Sequence, residues 1–214
     1  MKKYQFDTVK YNFKELVCSY LDVDRLENLN HPSINIIDEE TAQSTFYHKK
    51  FYSAAKSDNA LSDLYGKFVK DFIQNLFEEP ILYQSFPAIR IHYKNSFAAF
   101  NYHKDKEYRI AAEDKNLVKH EINFFLPLTN AYDTNTFWLE TKEDVGDYYP
   151  VEGSYGDLIT FDGANLRHGN KPNLTGQVRV SFDFRILPER IYQKHYGTIN
   201  HTNSTFVIGE KYKK

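Results

Sequence analysis

Apolar residues recur at three- and four-residue intervals in two stretches near the start of the chain: Phe13, Leu16, Val17, Tyr20 and Leu21, then Leu61, Leu64, Tyr65, Phe68, Phe72, Ile73 and Phe77. That spacing returns to one side of a helix with 3.6 residues per turn, so it predicts two amphipathic helices. Ser57 or Asp58 would cap the second, and Glu78-Glu79-Pro80 would end it, because proline disfavours helix in the residue before it. A third helix is predicted from Glu39 to about Tyr52. From Phe86 onward the period shortens to two. β-Branched and aromatic residues alternate with polar ones in Ala88–Tyr93, Phe97–Tyr102, Glu121–Leu126, Thr136–Glu140, Leu158–Phe161 and Arg179–Ile186, with Asn-, Asp- and Gly-containing turns between.

Helices first and many short strands after predict a mainly β protein with flanking helices. The expected architecture is a double-stranded β-helix, the jelly-roll, cupin-like barrel, supported by N-terminal α-helices. Residues 1–214 would form one domain, with 1–80 mostly helical support, 86–188 the jelly-roll core and 189–214 a polar, irregular tail.

Composition narrows the partners. Lys and Arg number 27 against 29 Asp and Glu, for a net charge of −2, which favours neither nucleic acid nor an anionic membrane. The single cysteine, Cys18, excludes an intramolecular disulfide and any Cys-rich metal site. The N-terminal residues lack the apolar run of a signal peptide, and no stretch has the length of a membrane-spanning helix. A cytoplasmic protein acting on a small molecule is the expectation, with the oligomeric state open. Aromatic residues make up 16% of the chain, with 17 Tyr and 17 Phe, which suits a sheet-rich core.

Alternation also assigns faces. In the strand beginning at Glu121, residues Glu121, Asn123 and Phe125 share one side, and Ile122, Phe124 and Leu126 share the other. The same logic groups Thr136, Trp138 and Glu140, and it groups Arg179, Ser181, Asp183 and Arg185. Arg90 and His92 belong to a fourth such strand. Four strands thus offer a polar face to one lumen.

His103-Lys104-Asp105 places an imidazole and a carboxylate on the same side of an extended backbone, and His168 follows the turn Asp162-Gly163-Ala164-Asn165. Two histidines and one carboxylate form the facial triad of non-haem Fe(II) sites, which leaves the opposite coordination positions open. Arg179-Val180-Ser181 then opens a strand. A planar guanidinium pairs bidentately with a carboxylate, and a serine two residues on can add a further hydrogen bond, as a bound dicarboxylate requires. Arg185 is the alternative clamp should Arg179 prove exposed. His92 and His120 read equally well as ordinary histidines, and His195 and His201 as solvated ones.

From Phe86 to Pro188, about half of the chain, the sequence resembles the Fe(II)/2-oxoglutarate-dependent oxygenase superfamily, and within it the oxygenases of streptomycin biosynthesis clusters. The phrases that carry the resemblance are Tyr102-His103-Lys104-Asp105, Glu121 to Thr129 (EINFFLPLT), Thr134 to Glu140 (TNTFWLE), Gly156 to Asn170 (GDLITFDGANLRHGN) and Arg179 to Arg185 (RVSFDFR). The resemblance implies His103, Asp105 and His168 as iron ligands and Arg179 with Ser181 as the 2-oxoglutarate clamp, and Asn123 and Thr136 are added as cosubstrate contacts. Arg90, Tyr102, Glu121, Trp138, Glu140 and Arg185 are the candidate substrate contacts. The implied cofactors are Fe(II), 2-oxoglutarate and O2, and the implied reaction oxidises a C–H bond of a small polar metabolite of amino acid, aminocyclitol or sugar type, releasing succinate and CO2. A protein side-chain hydroxylase would use the same iron site, whereas a cupin-type isomerase or sugar-binding protein would have no use for the Arg–Ser pair.

Overall fold

The computed structural model describes residues 1–29, 43–98, 102–107, 117–195 and 206–214. Its longest strand, β9 (Arg179–Pro188), organises the rest. Strand β4 (Ile122–Pro127) pairs antiparallel along one edge of it, from Ile122 opposite Ile186 to Pro127 opposite Ser181. The other edge is shared by β3 (Ala88–His92), which faces Arg179–Asp183, and β2 (Ile81–Gln84), which faces Ile186–Pro188. Strands β7 (Asp157–Phe161), β1 (Lys2–Gln5) and β10 (Tyr212–Lys213) complete a seven-stranded sheet in the order β1-β7-β4-β9-β2-β10, with β3 branching from β9. A three-stranded sheet lies apart, with β5 (Phe137–Glu140) between β6 (Tyr148–Pro150) and β8 (His168–Asn170).

The alternation of β9 decides what each face does. Val180, Phe182, Phe184 and Ile186 belong to the main core, where they meet α1 (Phe13–Leu21), α2 (Phe46–Ser57) and α3 (Ala60–Phe68). Phe13 and Phe51 both meet Phe182, Tyr65 meets Phe184, and Phe124 stacks on Phe184 at 5.1 Å. These rings remove a large apolar area from water and fix the helices on that face of the sheet. The opposite face carries Arg179, Ser181, Asp183 and Arg185. Between the sheets a smaller apolar cluster forms from Phe125, Phe137, Leu139, Ile159 and Phe161.

Several expectations change. The two sheets do not close into one barrel among the described residues; isolated bridges at His103–His168 and Ala131–Gly153 lie outside the named strands. Helices are not confined to the N-terminal part, since α4 (Glu189–His195) follows β9, and the chain opens on a strand. The predicted second helix is α3 followed by a wider turn over Val69–Ile73 and a tight one over Gln74–Leu76. Its start is tied by Asp58, whose carboxylate accepts from Ala60 N at 2.9 Å. The predicted third helix begins later, at Phe46, and its first residues, 39–42, lie outside the described residues. Phe97 and Ala98 are not strand, and residues 99–101 of that expected strand, like His201, are outside the description. No helix among the described residues is long and apolar enough to cross a membrane.

On α2, His48 is buried, its Nδ1 sits 2.7 Å from Thr45 Oγ1, and its Nε2 has no hydrogen-bond partner among the described residues. Burial, reinforced by Arg90, lowers its pKa from 6.5 to about 4. The unfolded chain takes up this proton near pH 6.5 and the folded one only near 4. Stability from the neutral ring is therefore complete above 6.5 and is lost as pH falls toward 4, by about 3 kcal/mol. Urea midpoints measured across that interval are expected to fall less steeply in His48→Asn than in the parent.

Candidate active site

The two histidines are brought together by backbone. His103 N donates to His168 O and His168 N donates to His103 O, both at 2.9 Å, so the segment carrying His103 extends the small sheet beyond β8. Asp105 starts a short turn whose N–H is anchored on Gly163 O at 2.9 Å. Asp105 Oδ1 then lies 3.6 Å from His103 Nε2 and 3.9 Å from His168 Nε2. One ligand atom from each of the three lies within 4.8 Å of the other two.

The donor set fits a divalent ion. His168 Nδ1 lies 3.1 Å from Leu166 O; donation there leaves Nε2 with its lone pair toward the other two ligands. Burial lowers the His168 pKa against the opposing pull of Asp105, which favours the neutral, ligating ring. Burial would raise the Asp105 carboxyl, but Arg185, His103 and His168 outweigh it and hold it well below the usual carboxylate range. Two imidazoles and one carboxylate on one side of a cavity are the ligand type and arrangement that suit Fe(II).

That cavity has a volume of about 390 Å³. Its polar wall comes from β9 (Arg179, Ser181, Asp183 and Arg185), with Arg90 and Asn123, and its apolar wall from Phe125, Phe137 and Phe161. Arg179 is 2% exposed; its Nε donates to Asn135 O at 2.9 Å and one terminal nitrogen to Ser181 Oγ at 2.7 Å. It has no carboxylate within ion-pair distance among the described residues, because Asp183 pairs with Arg90 at 3.0 Å. Burial, partly offset by Asp183, lowers its pKa to about 10, so it stays a cation at neutral pH.

Of the residues singled out in the sequence, His103, Asp105, His168, Arg179, Ser181, Asn123, Arg90 and Arg185 line this cavity. Thr136, Tyr102, Glu121, Trp138 and Glu140 do not. Thr136 Oγ1 is spent on Val151 O at 2.6 Å, and Trp138 Nε1 donates to Asp133 O while Lys171 lies over its ring. Glu140 accepts from Gly146 N and Arg167 N, which ties down the loop after β5. Tyr102 packs its ring on Tyr148, and Glu121 is buried behind the wall, accepting from Tyr212. On β5 the expected lumen face is reversed: Phe137 points inward, and the polar side chains serve loop backbone instead.

Asn135 and Gln43 complete the site without having been proposed for it, and Asp183, expected on the polar face of its strand, joins them. Asn135 closes the turn before β5 with its side chain and aims its carbonyl at both Arg179 and His92. His92 is itself no ligand: Nδ1 and Nε2 face Asn135 O and Ser96 O at 2.9 and 2.7 Å, and burial, with Arg179 nearby, lowers its pKa to about 3. A neutral ring can donate to only one of those two carbonyls, yet full burial beside a guanidinium makes the neutral form the better reading.

Gly169 controls the approach of the two ligand segments. A Cβ there would lie 2.9 Å from Tyr102 N and Cα, backbone atoms that cannot swing aside. Gly169→Ala is expected to push the His103 segment off β8, at an overpacking cost of about 1–3 kcal/mol, with weaker Co(II) binding by calorimetry.

The fold is shared with a structure of CytC3 with Fe(II) and α-ketoglutarate: 14% identity, TM-score 0.51, covering 88% of this chain and 72% of that one. The nickel complex of the non-haem monooxygenase ThoJ aligns at 14% identity and TM-score 0.48, over 87% and 71% of the two chains. No family model matches the sequence. The likeness to these structures is one of fold. The chain belongs to the family of the streptomycin biosynthesis protein StrG of Streptomyces griseus, to which it is 34% identical over 196 residues, 90% of this chain and 89% of that protein.

Proposed function

We propose that the protein is an Fe(II)- and 2-oxoglutarate-dependent dioxygenase that oxidises a C–H bond of a small polar metabolite, of amino acid, aminocyclitol or sugar type. The observation that carries this reading is the sharing of one cavity by the His103–Asp105–His168 cluster and the buried Arg179–Ser181 pair. When bound, iron with 2-oxoglutarate and O2 supplies the oxidation, with release of succinate and CO2.

The chain's own residues bind, orient and exclude. His103, Asp105 and His168 hold the metal; Arg179 and Ser181 take the far carboxylate of the cosubstrate, while Asn123 donates to Asp105. Phe125, Phe137 and Phe161 keep water from that half of the cavity. Arg90 and Asp183 form a mutually neutralised pair at the polar wall that offers both donors and acceptors to a hydrophilic substrate. The name of StrG supports a metabolite rather than a protein as substrate. We read residues 1–214 as one such domain, its two sheets as the double-stranded β-helix with α1 to α3 as its support, and the cytoplasm as its compartment.

The test is anaerobic titration of the protein with Fe(II) and 2-oxoglutarate, followed by a screen of amino acids, aminocyclitols and sugars for succinate release. Appearance of the visible charge-transfer band and substrate-stimulated succinate are expected. A protein that binds Fe(II) but develops no band with 2-oxoglutarate would remove the assignment.

A further inference from the structure

Asp105 has two oxygens with different surroundings. Oδ1 faces the two imidazoles, whereas Oδ2 accepts from Asn123 Nδ2 at 2.7 Å and from Arg185 Nε at 2.8 Å. Arg185 lies on β9 and Asn123 on β4, directly opposite each other in the register. Glu121 Oε2 stands 4.0 Å from the same Nε, and Glu121 in turn accepts from Tyr212 of β10. Burial would lower the Arg185 pKa, but Asp105 and Glu121 outweigh it and raise it, so it remains a fixed cation. Gly163 lets this arrangement close: a Cβ there would lie 2.8 Å from Asn123 Nδ2, and its carbonyl is the one that anchors Asp105 N.

We propose that Arg185, assisted by Asn123, is a positioning residue that occupies the outer oxygen of Asp105 so that the carboxylate presents a single oxygen to the metal, and that Glu121 and Tyr212 brace it from behind. The inference rests on the metal assignment above. A carboxylate released from these donors can turn its second oxygen toward the ion and take a coordination position that a 2-oxo acid needs. Arg185 therefore acts on cosubstrate binding through Asp105, without touching the cosubstrate. It also gives the C-terminal strand a role, since Tyr212 reaches the metal ligand through Glu121 and Arg185.

The experiment compares two 2-oxo acids. 2-Oxoglutarate has a far carboxylate and pyruvate does not, and both are titrated anaerobically into the Fe(II)-loaded parent, Arg185→Met, Arg185→Lys and Asn123→Leu, reading the visible band. Fe(II) affinity is measured separately by calorimetry. Arg185→Met is expected to weaken both acids by the same factor, about 10- to 100-fold, with Fe(II) affinity less affected, and Arg185→Lys to recover much of the loss. Asn123→Leu is expected to weaken both acids equally but less, and it carries the test if Arg185→Met does not fold by circular dichroism. Loss of 2-oxoglutarate with pyruvate unchanged would make Arg185 the carboxylate clamp and overturn the proposal, as would unchanged affinity for both. Absence of any band in the parent would instead remove the functional reading on which it stands.

Discussion

Replacing Arg179 with alanine is expected to weaken 2-oxoglutarate binding by about 2–5 kcal/mol, which corresponds to roughly a 30- to several-thousand-fold rise in Kd. Fe(II) affinity is expected to stay close to that of the parent, because the hydrogen bonds of Arg179 go to Asn135 and Ser181 and not to His103, Asp105 or His168. The size of the effect follows from burial. A guanidinium that is 2% exposed, with no carboxylate within ion-pair distance among the described residues, keeps its charge on neutral hydrogen-bond partners, Asn135 O and Ser181 Oγ. Such a site is pre-organised for an anion that arrives from outside, and truncation leaves that anion buried without its partner. Pyruvate separates this from a general loosening of the cavity: lacking the far carboxylate, it is expected to bind the alanine variant about as well as the parent. Equal losses for the two acids, or no loss for either, would place the carboxylate elsewhere. The selectivity expected here is the opposite of that expected for Arg185→Met, so the two variants distinguish a residue that meets the cosubstrate from one that acts through Asp105.

The strand that supplies both arginines was the most legible part of the sequence. Eight of the ten residues of β9, Arg179 to Ile186, alternate without interruption between aromatic or aliphatic side chains and Arg179, Ser181, Asp183 and Arg185. With the period so clear, a single burial decision assigns every side chain to core or cavity. β4 was legible for the same reason, and Asn123 fell on the face expected of it. β5 was not. Its polar residues Thr136, Trp138 and Glu140 read as a lumen face, but their partners are backbone groups of the loops around them, which periodicity cannot reveal. Phe137 and Phe161 line the cavity, yet in sequence they are indistinguishable from core phenylalanines. Strands β1, β6, β8 and β10, of two to four residues, are too short to show a period and depend on partners far along the chain. His103 and His168 could be nominated from spacing, but only the reciprocal backbone pair between them sets their side chains together. The different surroundings of the two Asp105 oxygens, and the line from Tyr212 through Glu121 and Arg185 to Asp105, exist only in three dimensions.

Replacing either His103 or Asp105 with alanine is expected to reduce Fe(II)-dependent conversion of 2-oxoglutarate to succinate to the background of protein-free controls, and to abolish the visible band with both 2-oxo acids. The two variants should differ in what else they lose. His103 is partly exposed and its backbone pair with His168 does not need the imidazole, so His103→Ala is expected to unfold near the parent temperature when both are metal-free. Asp105→Ala removes the partner of a buried cation. Among the described residues Arg185 would keep Glu121 as its one carboxylate neighbour, and losing one member of a buried pair costs about 3–5 kcal/mol, so this variant is expected to be less stable even without metal. Asp105→Asn restores a neutral acceptor for Arg185 and is expected to regain part of that stability while remaining inactive, which separates folding from ligation. Succinate formation retained in both alanine variants would end the metal assignment, since no other cluster of three or more His, Cys, Asp or Glu side chains suited to a metal is found among the described residues.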